Sequence, residues 1–395
     1  MSENPLERLA AEPLPVRKEK GTLHTPGEIL QQPGVWRETA SIVAGLSRQA
    51  GPILEGCPTI TITGAGSSLN AARLIEHAVR PELRTAITVV SCTDLMLAPE
   101  GYLPAQGRGV LVSLSRSGES PEIVEAARLV QEGFREVAQI AVTCNRAGAL
   151  GGLVGALPKG LSVFLPERSY DRGMGTTSSV TSTVVAGRYL AGLARPGDPG
   201  AYGGRVERLS QVAEAFLREQ AGIAQAIADA DPGRLVALGT LPMEAAAQEV
   251  AHKVLELTDG QVPTLARNFL EFRHGPIAFI DRTTTVVCLV SGDRDLLAYE
   301  MDFIRQLCES QAAREVVIVG SEHPELVAGG VNRVIPFPAG RCDPGERAIL
   351  GVLFGQMLAL FLSLRRGLKP DLPGSRGLVH PVVQGVRIHP RGARP

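Results

Sequence analysis

The sequence predicts an α/β protein made of two units, each on a mainly parallel sheet, and three observations carry that reading. Short β-branched runs alternate with amphipathic stretches of helical period along most of the chain. The pattern breaks at Gly197-Asp198-Pro199-Gly200 and then restarts. The first strand of each half ends in a glycine, Gly64 and Gly239, so the halves read as one α/β unit used twice.

Taken in order, residues 1–24 are polar and proline-containing and are expected to form a mobile arm. Thr25-Pro26-Gly27-Glu28 reads as a helix start, with Thr25 as N-cap, proline in the first turn and an acid three residues on. A helical stretch over 35–55 leads to strands at 59–63, 86–91, 109–114, 138–143 and 161–165, then a long helix at 178–194. After the break, strands are expected at 234–238, 284–290, 315–319 and 332–336, with helices at 243–258 and 346–366. The domains are accordingly 25–200 and 201–368. The tail, 369–395, is rich in Gly and Pro yet holds an apolar run at 382–388, and is expected to fold back and close a site.

Composition narrows the function. A chain of 395 residues with 44% hydrophobic content can bury sizeable cores. Forty Lys and Arg against forty-one Asp and Glu give a net charge of −1, which offers no basic field for nucleic acid or an anionic membrane. With one Trp, five Tyr and ten Phe there is little for base stacking or aromatic sugar strips. The six cysteines, Cys57, Cys92, Cys144, Cys288, Cys308 and Cys342, are scattered without a CxxC pair, so no zinc site or disulfide framework is expected. The start of the chain carries acids and prolines where a signal peptide needs an apolar core, and a cytoplasmic location follows. The apolar run at 349–364 contains Gln356 and falls short of the roughly 20 residues that span a bilayer, so it reads as a buried helix. A soluble enzyme or a small-molecule sensor remains.

Two loops suggest an anion. In TITGAGSSLNAARLIE, 61–76, a strand ends at Gly64, turns through Ala65-Gly66, and opens a helix at Ser67-Ser68. Small residues let an anion approach free amides at the positive end of a helix. The third glycine of a dinucleotide fingerprint and the Lys of a Walker loop are both missing. On this motif alone, a tight turn with a serine cap explains the segment equally well. VLVSLSRSGESPEIVEAARLV, 110–130, adds Ser115, Arg116, Ser117 and Ser120 before Pro121 opens a second helix, with Ser120 at the N-cap. Successive parallel strands end on one sheet edge, where open α/β sheets bind ligands. Serines at both strand ends suit the three oxygens of a phosphate monoester.

The second half offers different chemistry. In QEVAHKVLELTDG, 248–260, Glu249, Lys253 and Glu256 share one helix face beside an apolar stripe of Val250, Val254 and Leu257. By itself this is a solvated face with a helical ion pair. NFLEFRHGPIAFI, 268–280, wedges Glu271, Arg273 and His274 between apolar stretches at a Gly-Pro turn, and a histidine there is ordinarily structural.

These motifs together resemble a known family. The GxGSS turn with SxSGES at the next strand end resembles the sugar isomerase (SIS) domain, a three-layer α/β/α fold. The order QQPGVW, ITGAGSS, SRSGESPE, TCNRAGAL, DRGMGTTSS, KVLELTDG, FRHGP and VVQGVRIHP resembles the galactosamine-6-phosphate deaminase/isomerase (tagatose-6-phosphate ketose/aldose isomerase) family, related to the isomerase part of glucosamine-6-phosphate synthase, over nearly the whole chain. The resemblance implies that Ser67, Ser68, Ser115, Ser117 and Ser120 hold a sugar phosphate, with Arg116 at the loop tip. Arg172, Thr176 and Thr177 in 167–182 become possible sugar contacts, although a hydroxyl-rich helix cap explains that segment nearly as well. Glu256 falls on the proton-shuttling glutamate, Lys253 on the neighbouring lysine, and His274 on the ring-opening histidine, which in the synthase comes from the partner subunit. A homodimer with a shared site is thereby implied, with no metal and no cofactor. Two departures stand out. The lack of a glutaminase domain and of a Cys at position 2 excludes glutamine-dependent synthesis. The tail has no counterpart of the synthase's lysine; Gln384 lies in the comparable stretch.

The implied reaction converts galactosamine 6-phosphate to tagatose 6-phosphate and ammonia. Aldose–ketose isomerisation and glucosamine-6-phosphate deamination are close alternatives. A sugar-phosphate sensor would need the serine loops but not Glu256 and His274.

Overall fold

The computed structural model describes residues 4–81, 83, 85–193, 200–321, 330–337, 342–374, 377, 380, 382, 383 and 385–389. Two five-stranded parallel sheets organise it. The first contains β1 (Thr59–Gly64), β2 (Ala86–Ser91), β3 (Gly109–Ser115), β4 (Val137–Thr143) and β5 (Gly160–Phe164) in the order β2-β1-β3-β4-β5. The second contains β6 (Arg234–Gly239), β7 (Thr264–Asn268), β8 (Thr284–Leu289), β9 (Glu315–Val319) and β10 (Arg333–Ile335) in the order β10-β9-β8-β6-β7. Counted within each sheet the orders are the same, so the repeat suggested by the two glycines is a repeat of topology. In both, the first and third strands are neighbours and the order reverses between them, creating the switch point where open α/β sheets take ligands.

Each of those glycines sits where its strand passes the first turn of the next helix. A Cβ on Gly64 would lie 2.8 Å from the Ser68 backbone, and one on Gly239 would lie 2.2 Å from the Met243 carbonyl oxygen.

The chain divides into two compact units that are not contiguous halves. One comprises Met1–Gly34, Asp171–Thr177 and Glu207–Ser375; the other comprises Val35–Tyr170, Ser178–Val206 and Arg376–Pro395. The boundary expected near residue 200 lies close to Glu207, but the amino-terminal segment joins the unit of the second sheet. Where the sequence suggests a mobile arm, Pro5–Ala11 and Leu14–Lys20 are helices. The prolines mislead because Pro5 and Pro15 stand in first turns and Pro13 at the cap position before the second helix, where a missing N–H costs nothing. Asn4 caps the first helix and Leu6 is fully buried. The helix Thr25–Leu30 also departs from expectation: its cap is His24, and the Thr25 amide and hydroxyl donate to Asp371 Oδ1 at 2.8 and 2.7 Å.

In the second-sheet unit, Phe269 and Phe272 each pack edge to face on Phe303, in one core with Val236, Val286 and Ile318, the apolar burial that holds β6 and β8 in place. The helix Pro344–Arg365 closes this unit. It starts with a reciprocal capping box between Asp343 and Glu346, and 89% of its most apolar window is buried, so its hydropathy is that of a core helix. The long helix Gly200–Asp229, the helix Arg294–Ser310 and the edge strand β7 extend the sequence-based assignment.

Candidate active site

At the first switch point, β1 runs into the helix Ser67–Val79 through Gly66, whose backbone turns at φ 53°. That helix has no side-chain cap, and Ser67 and Ser68 open it half-buried. β3 runs into Ser115–Ser120 and the helix Pro121–Gly133. Ser115 Oγ accepts the Gly118 amide at 3.0 Å, and Ser117 Oγ accepts the Glu119 amide at 3.2 Å. The loop is laced to the next strand end as well: Asn145 Nδ2 donates to the Ser117 carbonyl at 2.9 Å, and the Ala149 amide donates to Glu119 Oε1 at 3.1 Å. Gly118 makes the turn at φ 64°. Ser120 occupies the expected cap position, yet its hydroxyl makes no cap bond and the Pro121 nitrogen has no proton to offer it. The result is a rigid loop whose hydroxyl protons and helix-start dipoles suit an anion with several oxygens. Arg116 stacks 5.5 Å over the Tyr170 ring.

In the unit of the second sheet, the helix Pro242–Leu257 places Glu249, Lys253 and Glu256 together. The structure overturns the solvated-face reading of this trio: Glu249 is 0% and Lys253 1% exposed. Lys253 Nζ lies 2.7 Å from Glu256 Oε2 and 3.7 Å from Glu249 Oε1, and it donates to Thr176 Oγ1 at 2.8 Å. Burial works against the ammonium, but the charges of Glu256 and Glu249 outweigh it and hold Lys253 above its ordinary pKa. The lysine therefore stays cationic, fixing Glu256, whose side chain is 16% exposed. His252, one residue before the lysine, brings Nε2 to 3.9 Å from Glu256 Oε2. Its spacing of i, i+4 to Glu256 is the sequence signal for this contact.

Thr176 carries a second signal: it is a β-branched residue at φ 43°. Such strain persists where the surroundings impose it, and it clusters at functional sites. Thr177 is fully buried, with its hydroxyl 3.5 Å from Asp171 Oδ1. Arg172 is exposed, and its backbone amide donates to Glu28 Oε1 at 2.6 Å. Burial first, and then the charge of Asp171, pushes Glu28 up to about 7, against the two amides that it accepts. The sequence shows Glu28 only as a helix-start acid and gives Asp171 no role, because their partners are distant along the chain.

His274 follows the short helix Phe269–Phe272 and is exposed, its imidazole bonded to nothing among the described residues. Gln384 lies outside the described residues. Among the described residues no group of three or more His, Cys, Asp or Glu is arranged to hold a metal ion.

The chain is similar to known proteins over most of its length. D-galactosamine-6-phosphate deaminase AgaS of Escherichia coli O157:H7 is 31% identical over 373 residues, covering 93% of this chain and 95% of that protein. Among solved structures, tagatose-6-phosphate ketose/aldose isomerase from Escherichia coli superposes with a TM-score of 0.84 at 29% identity, over 93% of this chain and 97% of that one. The C-terminal domain of glucosamine-fructose-6-phosphate aminotransferase from Francisella tularensis, 17% identical with a TM-score of 0.74, shares the fold. No family model matches the chain. Both units have the SIS architecture.

Proposed function

Since the chain belongs to the D-galactosamine-6-phosphate deaminase family, we propose that it converts galactosamine 6-phosphate and water to tagatose 6-phosphate and ammonia. The observation that carries this reading is the Glu249–Lys253–Glu256 cluster, which orients one carboxylate beside a buried, fixed ammonium. Ser67, Ser68, Ser115, Ser117 and Ser120, with Arg116, bind the 6-phosphate, so binding energy remote from the reacting carbons positions them.

Glu256 acts as general base on the open-chain amino aldose, taking the C2 proton and returning it to C1. The C2 imine so formed adds water and expels ammonia, leaving the ketose. Lys253 stabilises negative charge that develops on the enediol-like intermediate. His274 assists ring opening; its exposed, unpartnered imidazole favours delivery to a second copy's site in a homodimer. Arg172 and Thr176 contact the sugar directly or through Lys253. The enzyme works in the cytoplasm.

Ammonia release from galactosamine 6-phosphate, with glucosamine 6-phosphate alongside and Glu256→Gln as control, tests the reading. Release from the galacto sugar that disappears in the variant supports it. Preference for the gluco sugar keeps the mechanism and changes the substrate. No ammonia from either sugar overturns deamination. Ketose/aldose isomerisation then becomes the reading to test, favoured by the likeness to a solved isomerase of that name.

A further inference from the structure

The residues Asp171–Thr177 cluster with Met1–Gly34 and Glu207–Ser375, not with the segments on either side of them in the chain. The hydrogen bonds explain why. At one end of the stretch, Glu28 Oε1 accepts the Arg172 amide at 2.6 Å and the Gly173 amide at 3.3 Å, and Glu28 Oε2 accepts Gly173 again at 3.3 Å. The fit is tight, since a Cβ on Gly173 would come within 2.9 Å of Glu28 Oε2 and 2.6 Å of Thr25 Oγ1. In the middle, the Met174 amide donates to the Asp371 carbonyl at 3.0 Å, while the Asp371 carboxylate is held by Thr25. At the far end, Gln32 Nε2 donates to Gln356 Oε1 at 2.7 Å, and Gln356 Nε2 donates to the Thr177 carbonyl at 3.2 Å. Between these pins stands Thr176 at φ 43°, its hydroxyl on Lys253.

A threonine in that conformation is strained and reverts unless its neighbours over-determine it. Here a single amino-terminal stretch supplies both brackets, Glu28 directly and Gln32 through Gln356. A helix needed only to cover a core would not require an 8% exposed carboxylate aimed at two loop amides.

We propose that Glu28 is a positioning residue: by holding the Arg172 and Gly173 amides, with Gln32 bracing the Thr177 carbonyl through Gln356, it keeps Thr176 in the strained conformation that fixes the Lys253 ammonium against Glu256. The proposal rests on the reading in which Lys253 and Glu256 carry the chemistry.

The test is a double-mutant cycle of Glu28→Gln and Thr176→Val in the full chain, with ammonia release and amide hydrogen exchange as readouts. A glutamine keeps one oxygen for the Arg172 amide but turns an NH2 toward the Gly173 amide, where Glu28 Oε2 accepted it. Glu28→Gln is expected to lower kcat by about tenfold while KM stays within about twofold, since a displacement near 1 Å in a catalytic constellation reaches about 100-fold. Exchange of amides in 171–177 is expected to accelerate by a similar factor. Thr176→Val is expected to lower kcat comparably, Thr176→Ser to restore it, and Glu28→Gln to add almost nothing in the Thr176→Val background. Wild-type kcat in Glu28→Gln, a loss that appears only in KM, unchanged exchange at 171–177, or full additivity in the cycle would each overturn the proposal. If Glu28→Gln does not fold, Gln32→Ala carries the same cycle from the other bracket. If the wild-type chain releases no ammonia, the functional reading fails, and the exchange measurement alone decides whether Glu28 holds the loop.

Discussion

At the end of β1 the chain turns through Gly66 at φ 53° and ψ −128°; at the end of β6 it turns through Leu241 at φ 55° and ψ −120°. β3 and β8, the third strands of their sheets, both run on into serines, Ser115 and Ser291, whose hydroxyls each accept a loop amide, from Gly118 and Asp293. The turns after the first strands of the two sheets share one backbone conformation, and the chemistry around the two switch points differs. At the second, Glu300 is 1% exposed and accepts the Ser291 amide at 2.8 Å, and Arg347 donates to the Gly320 carbonyl while packing so close that a Cβ on Gly292 would lie 2.9 Å from it. The protein's own carboxylate and guanidinium fill the place where the first switch point presents hydroxyls. Topology supplies the crevice twice; side chains decide whether it takes an anion or is sealed.

The largest expected effect falls at Glu256. Glu256→Gln should lower kcat by about 10²–10⁴-fold, the usual worth of a general base, with phosphosugar binding kept. Single-turnover ammonia release alongside binding calorimetry checks it. A comparable loss of affinity would mean that Glu256 also anchors the substrate.

Next comes the comparison itself. Ser115→Ala removes a hydroxyl from the phosphate loop and should raise KM about tenfold, in line with about 1–2 kcal/mol for a hydrogen bond to a charged group. Ser291→Ala, one residue past the matching place in the second sheet, should leave KM unchanged. Steady-state kinetics on both variants decides the point, and equal effects would show that the second switch point also serves the substrate.

Smaller again is the expected cost of sealing the second crevice with a carboxylate. Burial raises Glu300 to about 7, against the Ser291 amide, the Thr240 hydroxyl and Arg347, which favour its ionised form. The unfolded chain ionises this group near its ordinary 4.5, so between about pH 4.5 and 7 the unfolded state binds fewer protons and stability falls as pH rises. Glu300→Gln should therefore gain stability by about 1–2 kcal/mol more at pH 8 than at pH 5, once the loss of the Arg347 attraction is discounted. Thermal melts at the two pH values measure the difference. A gain that does not depend on pH would assign the cost to packing.

How much of this was legible in the sequence depends on how local each cause is. β1 to β6, β8 and β9 announce themselves by β-branched runs between glycines. β7, TLARN, is a short edge strand with only half-buried side chains, so no apolar run marks it. The serine loops and the Lys253–Glu256 pair were readable because sequence neighbours form them. Burial of that pair was not readable, since helical spacing cannot tell an ion pair in solvent from one in a core. Glu28 marks the limit: three residues after Thr25 it looks like half of a capping box, and only the fold carries it to amides at 172 and 173.

The last comparison is of strain. Leu241 holds, with a half-exposed side chain, the conformation that Gly66 adopts freely. A bulky residue there costs on the order of 1–3 kcal/mol, and part of that is offset because a glycine loses more chain entropy on folding. Leu241→Gly should therefore raise stability by about 1 kcal/mol with kcat/KM unchanged, as expected where Glu300 and Arg347 occupy the second switch point. Gly66→Ala should do the reverse, straining the turn and displacing Ser67 and Ser68. Urea titration with parallel kinetics on both variants measures the two effects. If Leu241→Gly instead lowered kcat/KM, the strain at the second switch point would be in use, and the sealed crevice would belong to the working enzyme after all.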